Sequence, residues 1–90
     1  MSPRRSSFEI AIDVLNILAE GENRPTRIMY GSNLSWTSLK SKLDLLVNKG
    51  YVDEEFISDR NKLYSITSKG IEVLRYYKRL ESLVEVTHSA

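Results

Sequence analysis

The chain has 90 residues, a formal net charge of +1 and no cysteine. A chain of this length forms one domain and buries only about 60–65% of its unfolded surface, so its core is modest. The lack of cysteine excludes disulfides and thiolate metal sites, and no apolar run approaches the ~20 residues that a membrane span needs. We therefore expect a soluble, cytoplasmic protein without a signal peptide or a membrane partner.

The first predicted helix begins after a capping box formed by Ser6 and Glu9, and Gly21 ends it. Residues 1–6 precede it as a flexible basic arm. A wide face of apolar side chains runs along this helix, which predicts that other elements cover it on more than one side. These side chains are Phe8, Ala11, Ile12, Leu15, Leu18 and Ala19, and Ile10, Val14 and Ile17 widen the face.

A short second helix and a longer third helix follow, joined by a tight turn. We expect Thr26 to cap the second helix and residues 31–33 to supply the turn. Ser35 caps the third helix, which extends over 35–48 with Leu39, Leu43 and Leu46 facing inward.

Two segments rich in β-branched and aromatic residues, 51–57 and 63–66, flank a turn-prone tip at 58–62 and predict a β-hairpin. Thr67 caps a last helix over 68–86, roughly 30 Å long, and 87–90 form a short tail. The predicted fold class is mainly α with a small β-hairpin. It is a winged helix-turn-helix over 7–67, followed by a long C-terminal dimerisation helix.

The last helix carries apolar side chains beyond the reach of the remaining domain. These side chains form a stripe along the helix, and a second copy of the chain that pairs through this stripe removes them from water. The sequence therefore predicts a homodimer joined by a short coiled coil. The stripe leaves open whether the two helices run parallel or antiparallel. The expected interface residues are Val73, Tyr76, Tyr77, Leu80, Leu83 and Val84.

The order helix, turn, helix, hairpin is that of proteins that read a DNA groove. Basic residues also dominate between Arg24 and Lys49, where Asp44 is the only carboxylate. We expect the third helix to enter the major groove and the wing at 58–62 to contact the backbone of double-stranded DNA. Capped helix N-termini, hydroxyl groups and cations are the groups that bind phosphates and base edges. The predicted DNA-binding residues are Thr26, Arg27, Ser35, Trp36, Thr37, Ser38, Lys40, Ser41, Lys42, Arg60 and Lys62.

Some of these residues admit a second interpretation. Trp36 stacks on a sugar or a thymine methyl group, or it packs back against Met29, and Tyr30 has the same ambiguity. Lys40 and Lys42 lie two residues apart and cannot both face the groove, so one of them should contact the backbone. The wing cations either hold phosphates or belong to an ordinary charged turn.

One set of residues carries a resemblance to a known family. It consists of the segments 26–30, 33–35, 49–52 and 67–70, with Leu39, Leu43, Leu46 and Tyr64. Through them the chain resembles the small archaeal winged-helix family, whose best-known members are abundant proteins of thermophilic archaea, and the resemblance extends from about Phe8 to Val84. It implies DNA contact through the third helix and the wing, and dimerisation through an antiparallel coiled coil of the last helix.

The sequence predicts no enzyme, no cofactor and no metal site. No nucleophile, base and orienting group occur together, and the single histidine, His88, has no cysteine or clustered carboxylates beside it. Two roles in DNA binding stay open, namely transcription regulation and a chromatin-associated, nucleoid role. The alternative is a protein-interaction module, which Trp36 and Tyr30 favour and Lys40 and Lys42 oppose.

Overall fold

The computed structural model describes the backbone of residues 6–89 and the side chains of residues 6–83. Within that part of the chain, four helices and one two-stranded antiparallel sheet follow one another. The order is that of a winged helix-turn-helix with a final helix, so the predicted fold class is confirmed. The elements are α1 Ser7–Ala19, α2 Pro25–Ser32, α3 Trp36–Asn48, β1 Val52–Phe56, β2 Lys62–Ile66 and α4 Ser68–Ser89.

The start and end of α1 follow the sequence prediction. Ser6 Oγ accepts a hydrogen bond from the Glu9 amide at 3.0 Å, and Glu9 Oε1 accepts one from the Ser6 amide at 3.0 Å. This reciprocal pair is a complete capping box. Gly21, with φ +103°, follows the C-cap residue Glu20 in a conformation that suits glycine.

The start of α2 and the turn after it differ from the prediction. Thr26 is not the cap, because Pro25 already occupies the first helical position, where its fixed φ and missing N–H are favourable. Gly31 and Ser32 are helical rather than part of the turn, and the Ser32 hydroxyl donates to the Ile28 carbonyl at 2.7 Å inside the helix. The left-handed residue that ends α2 is Asn33, with φ 58°.

The hairpin pairs Val52 with Ile66 and Phe56 with Lys62 across the two strands. Lys62 therefore begins β2, so the predicted tip at 58–62 is one residue too long at its end. The Tyr64 amide, on the outer edge of β2, donates to the Asn23 carbonyl at 2.9 Å. This bond attaches the loop before α2 to the hairpin.

The core lies around α1, which packs against α2, α3, β2 and α4. Its wide apolar face is therefore covered on several sides, as predicted. All six elements contribute buried apolar side chains, which are Ile12, Val14, Leu15, Leu18, Ile28, Leu39, Leu43, Leu46, Val52, Tyr64 and Leu74.

Hydrogen bonds connect the start of α4 to the end of α3. Thr67 Oγ1 accepts from the Gly70 amide at 3.0 Å, which confirms Thr67 as the cap, and donates to the Gly50 carbonyl at 2.7 Å. The Thr67 amide donates to the Tyr51 carbonyl at 3.0 Å. The helix continues to Ser89, three residues beyond the predicted end. No helix in the described part of the chain combines the length and apolar character of a membrane span.

Candidate nucleic-acid interface

The N-terminal half of α3 is capped and open to solvent. Ser35 Oγ accepts a hydrogen bond from the Ser38 amide at 3.2 Å, so Ser35 is the cap that the sequence predicts. The outward side chains of this half, Thr37, Ser38 and Ser41, are all exposed and short. Short side chains let the helix backbone approach another surface closely, and their hydroxyls both donate and accept hydrogen bonds. This surface has the shape and chemistry that a groove-reading helix needs.

Two lysines flank that hydroxyl face from opposite edges. At about 100° per residue, Lys40 and Lys42 lie roughly 200° apart around the helix axis on the side that carries Ser41, with Ser41 midway between them. The Lys40 ammonium forms an ion pair with Asp44 at 2.7 Å, one turn further along, and the two side chains are 37% and 58% exposed. Surface pairs of this kind stabilise by only about 0–1 kcal/mol, so breaking this one costs little. Lys42 is half-buried and makes no ion pair with any other described residue.

The wing tip, the start of α2 and the start of α3 surround one cleft of about 400 Å³. Trp36 lies in its wall, 45% exposed, and Met29 lines the same cleft. Trp36 and Met29 thus share one cleft, and the stacking of Trp36 on DNA stays a prediction. The cleft brings four of the predicted site residues together, which are Thr26, Trp36, Arg60 and Lys62. Arg27 and Lys42 lie outside it.

The two wing cations differ in their surroundings. Arg60 is exposed and forms no ion pair within the described chain. The Lys62 ammonium instead pairs with Glu54 Oε2 at 3.2 Å and lies 5.0 Å from the centre of the Phe56 ring. Lys62 thus belongs to the strand face rather than to the tip, and Arg60 is the cation that the tip presents outward.

Glu54 is a charged residue of the site that the sequence analysis missed. Its Oε2 accepts a hydrogen bond from the Tyr64 hydroxyl at 2.9 Å, and this bond is the main cause that holds the pKa of Glu54 below its usual value. Burial, and then the bond to Glu54, raise the pKa of Tyr64. The sequence signal is the pairing of Glu54 with Tyr64 across the hairpin, which is visible only once the strand register is known.

The predicted dimer residues of α4 divide into two groups. Val73 and Tyr77 are half-buried, and the Tyr77 ring lies 5.6 Å from the ring of Phe8 on α1, so both pack within their own chain. The second group projects from α4 along one exposed face, at spacings of four and three residues. Its members are Tyr76, Leu80 and Leu83, at 66%, 62% and 58% exposure. The side chain of Val84, the sixth predicted residue, lies outside the described residues.

Among the described residues, no three His, Cys, Asp or Glu side chains come together as a metal site would require. Arg4 and Arg5 of the predicted basic arm, and the His88 side chain, lie outside the described residues.

Comparisons with known proteins identify similar sequences and structures. A family model described as winged helix-turn-helix matches residues 4–85. The uncharacterized protein MJ0287 of Methanocaldococcus jannaschii is 34% identical over 86 residues, which cover 96% of this chain and 80% of that protein. Sso10a-2, a DNA-binding protein from Sulfolobus solfataricus, is 27% identical with a TM-score of 0.79, over 94% of this chain and 87% of that chain. The transcriptional regulator BldR from Sulfolobus solfataricus is 23% identical and shares the fold, with a TM-score of 0.76 over 89% of this chain and 60% of that chain.

Proposed function

Since the chain belongs to the winged helix-turn-helix family and has archaeal relatives, we propose that it binds double-stranded DNA as a homodimer. The recognition helix α3 enters the major groove, and the wing contacts flanking phosphates. The observation that carries the proposal is the capped, exposed start of α3, whose hydroxyl face lies between two lysines and beside the wing cleft. The similarity to Sso10a-2, which is described as a DNA-binding protein, supports it.

The proposed DNA contacts are of two kinds, those that position the protein on phosphates and those that read base edges. Lys40, Lys42 and Arg60 are cations that neutralise phosphates, and the α3 N-terminus adds backbone N–H groups. Thr37, Ser38 and Ser41 face outward from α3, where hydroxyls reach base edges. This face contains no arginine or glutamine for bidentate base contacts, so we expect modest sequence preference. Selection from random duplexes separates a regulator, which enriches a motif, from a chromatin protein, which enriches none.

Titration of a duplex at several salt concentrations tests the proposal. Each phosphate that the protein neutralises contributes about −0.9 to the slope of log affinity against log salt. The double variant Lys40→Ala, Lys42→Ala should weaken binding to all sequences alike and reduce that slope by about one to two. The matched control is Lys78→Ala, Arg79→Ala, which removes the same charge from exposed positions on α4. Binding without salt dependence, or equal losses in both variants, contradicts the proposed surface.

The proposed dimer forms through the exposed α4 face of Tyr76, Leu80 and Leu83. Burying such side chains stabilises by about 1.5–2 kcal/mol each before the entropy of association is subtracted. We expect Leu80→Glu to produce monomers in sedimentation or light-scattering measurements. Ser82→Glu places the same charge on the opposite side of the same turn and should leave the dimer intact. A wild-type protein that is monomeric at micromolar concentration would refute this part of the proposal.

One observation favours a second candidate function, a protein-interaction module. Several large apolar side chains are exposed, among them Tyr30 at 76% on α2, Phe56 at 65% at the end of β1 and Ile57 at 56% after it. Exposed apolar side chains contribute to protein docking surfaces. The same titration separates the two functions, because a protein-docking module shows no affinity for random duplex at low salt.

A further inference from the structure

One carboxylate, that of Glu54 on β1, contacts a cation of the wing. Glu54 pairs directly with Lys62 at 3.2 Å, and the Lys40 ammonium on α3 also stabilises its negative charge. The Glu54 and Lys62 side chains are only 21% and 32% exposed. The acidic group is therefore part of the surface that the proposed function assigns to DNA phosphates.

Glu54 is held in place from behind. The Tyr64 hydroxyl donates to Oε2, the same oxygen that Lys62 contacts, and Tyr64 itself is 1% exposed in the core. The Glu54 carboxylate is charged and already held in place. The ion pair with Lys62 therefore costs little side-chain entropy, because only the lysine side chain must be ordered. The Lys62 ammonium also lies over the Phe56 ring, which fixes it further.

We propose that Glu54 is an internal competitor for DNA phosphate, which occupies Lys62 in the free protein and so sets the affinity and salt dependence of DNA binding. The inference rests on the proposed function and extends it to the control of affinity at the same site. Lys62 adds nothing to phosphate binding while Glu54 holds it, and the Glu54 carboxylate repels a phosphate that approaches the cleft. The wing therefore binds DNA mainly through Arg60.

The other ion pair of the surface does not have this character. Lys40 and Asp44 lie on adjacent turns of α3, at 37% and 58% exposure, with no core residue bonded to the carboxylate among the contacts of the described chain. Water and salt screen such a pair, so its lysine remains accessible to phosphate. The competitor role is therefore assigned to Glu54 and not to Asp44.

The variant Glu54→Gln tests the inference. The glutamine carbonyl still accepts the Tyr64 hydroxyl, so we expect the hairpin to remain folded, which circular dichroism and denaturant unfolding check. The control is Glu55→Gln, which makes the same change in net charge at the next residue of β1, on the opposite face and exposed. At low salt, Glu54→Gln should raise duplex affinity about three- to tenfold and steepen the salt slope by about one, while Glu55→Gln changes affinity less than about twofold.

A double-mutant cycle with Lys62→Gln completes the test. In the wild-type background, Lys62→Gln should lower duplex affinity less than about twofold. In the Glu54→Gln background, it should remove most of the affinity that Glu54→Gln gains. Equal costs in both backgrounds, or equal gains from Glu54→Gln and Glu55→Gln, overturn the inference while the proposed function stands. If neither the wild type nor any variant binds duplex, the proposed function fails and the inference fails with it.

Discussion

Gly70, in the first turn of α4, contacts the backbone of a neighbouring segment so closely that a side chain has no room. A Cβ atom at this position would lie 2.7 Å from Cγ1 of Ile66 and 3.2 Å from the carbonyl carbon of Tyr51, and closer still to the Tyr51 oxygen. That oxygen also accepts the Thr67 amide at 3.0 Å. The Tyr51 carbonyl cannot move away without losing this hydrogen bond.

Replacing Gly70 by alanine has two opposing effects. Alanine favours the helix by up to about 1 kcal/mol relative to glycine. Forcing a methyl group against fixed backbone costs about 1–3 kcal/mol, and loss of the Thr67–Tyr51 hydrogen bond adds about 1 kcal/mol. The steric term is the larger, so we expect Gly70→Ala to lower the free energy of unfolding by about 1–3 kcal/mol.

Urea unfolding of Gly70→Ala and Gly31→Ala, compared with the wild type, checks this reasoning. Gly31 lies within α2, and a Cβ there would meet the terminal Cδ1 of Ile17 at 3.3 Å, which a small rotation relieves. We expect Gly31→Ala to change the free energy of unfolding by less than about 1 kcal/mol, in either direction. If the two variants unfold at the same urea concentration, the close contact at the start of α4 does not govern stability.

Two further predictions concern the hydrogen bonds of the site. Tyr64→Phe removes the main hydrogen-bond donor that holds the pKa of Glu54 below its usual value of 4.5. The stability from this bond is present above the usual pKa and is lost as pH falls through the lower pKa that Glu54 has in the folded protein. We expect a loss of about 1–2 kcal/mol at pH 7 that shrinks as the pH falls through the lowered pKa of Glu54, measured by urea unfolding across pH. A loss independent of pH would contradict this origin. Ser35→Ala removes the α3 cap and should cost about 1 kcal/mol, whereas Ser35→Asp, which caps equally well, should retain stability in the same assay.

Helix boundaries that depend on local chemistry could be predicted from the sequence. The capping box of α1 and the Ser35 cap need only neighbours three residues away, and both form as predicted. Gly50, with φ +83°, follows the C-cap residue Lys49 of α3 and adopts this conformation without strain because it is glycine.

Features that depend on distant partners could not be predicted in the same way. Serine is common in turns, but Ser32 is buried in the last turn of α2. Its hydroxyl donates to the Ile28 carbonyl of the same helix. The pairing of Lys62 with Glu54 required the strand register, since one residue of slippage would place the two side chains on opposite faces. The sequence thus indicated where cations accumulate, but it did not indicate which of them already has a partner.

The hydrogen bonds that join the start of α4 to the segment just after α3 have a consequence for the length of DNA that a dimer could span. Thr67 bonds to the carbonyls of Gly50 and Tyr51, so no flexible linker separates the proposed pairing helix from the proposed reading helix. Two heads joined in this way keep a set separation and a set angular phase along the double helix. Inserting about five base pairs, half a helical turn, between two half-sites would turn one of them to the far side of the duplex, where the second head cannot follow.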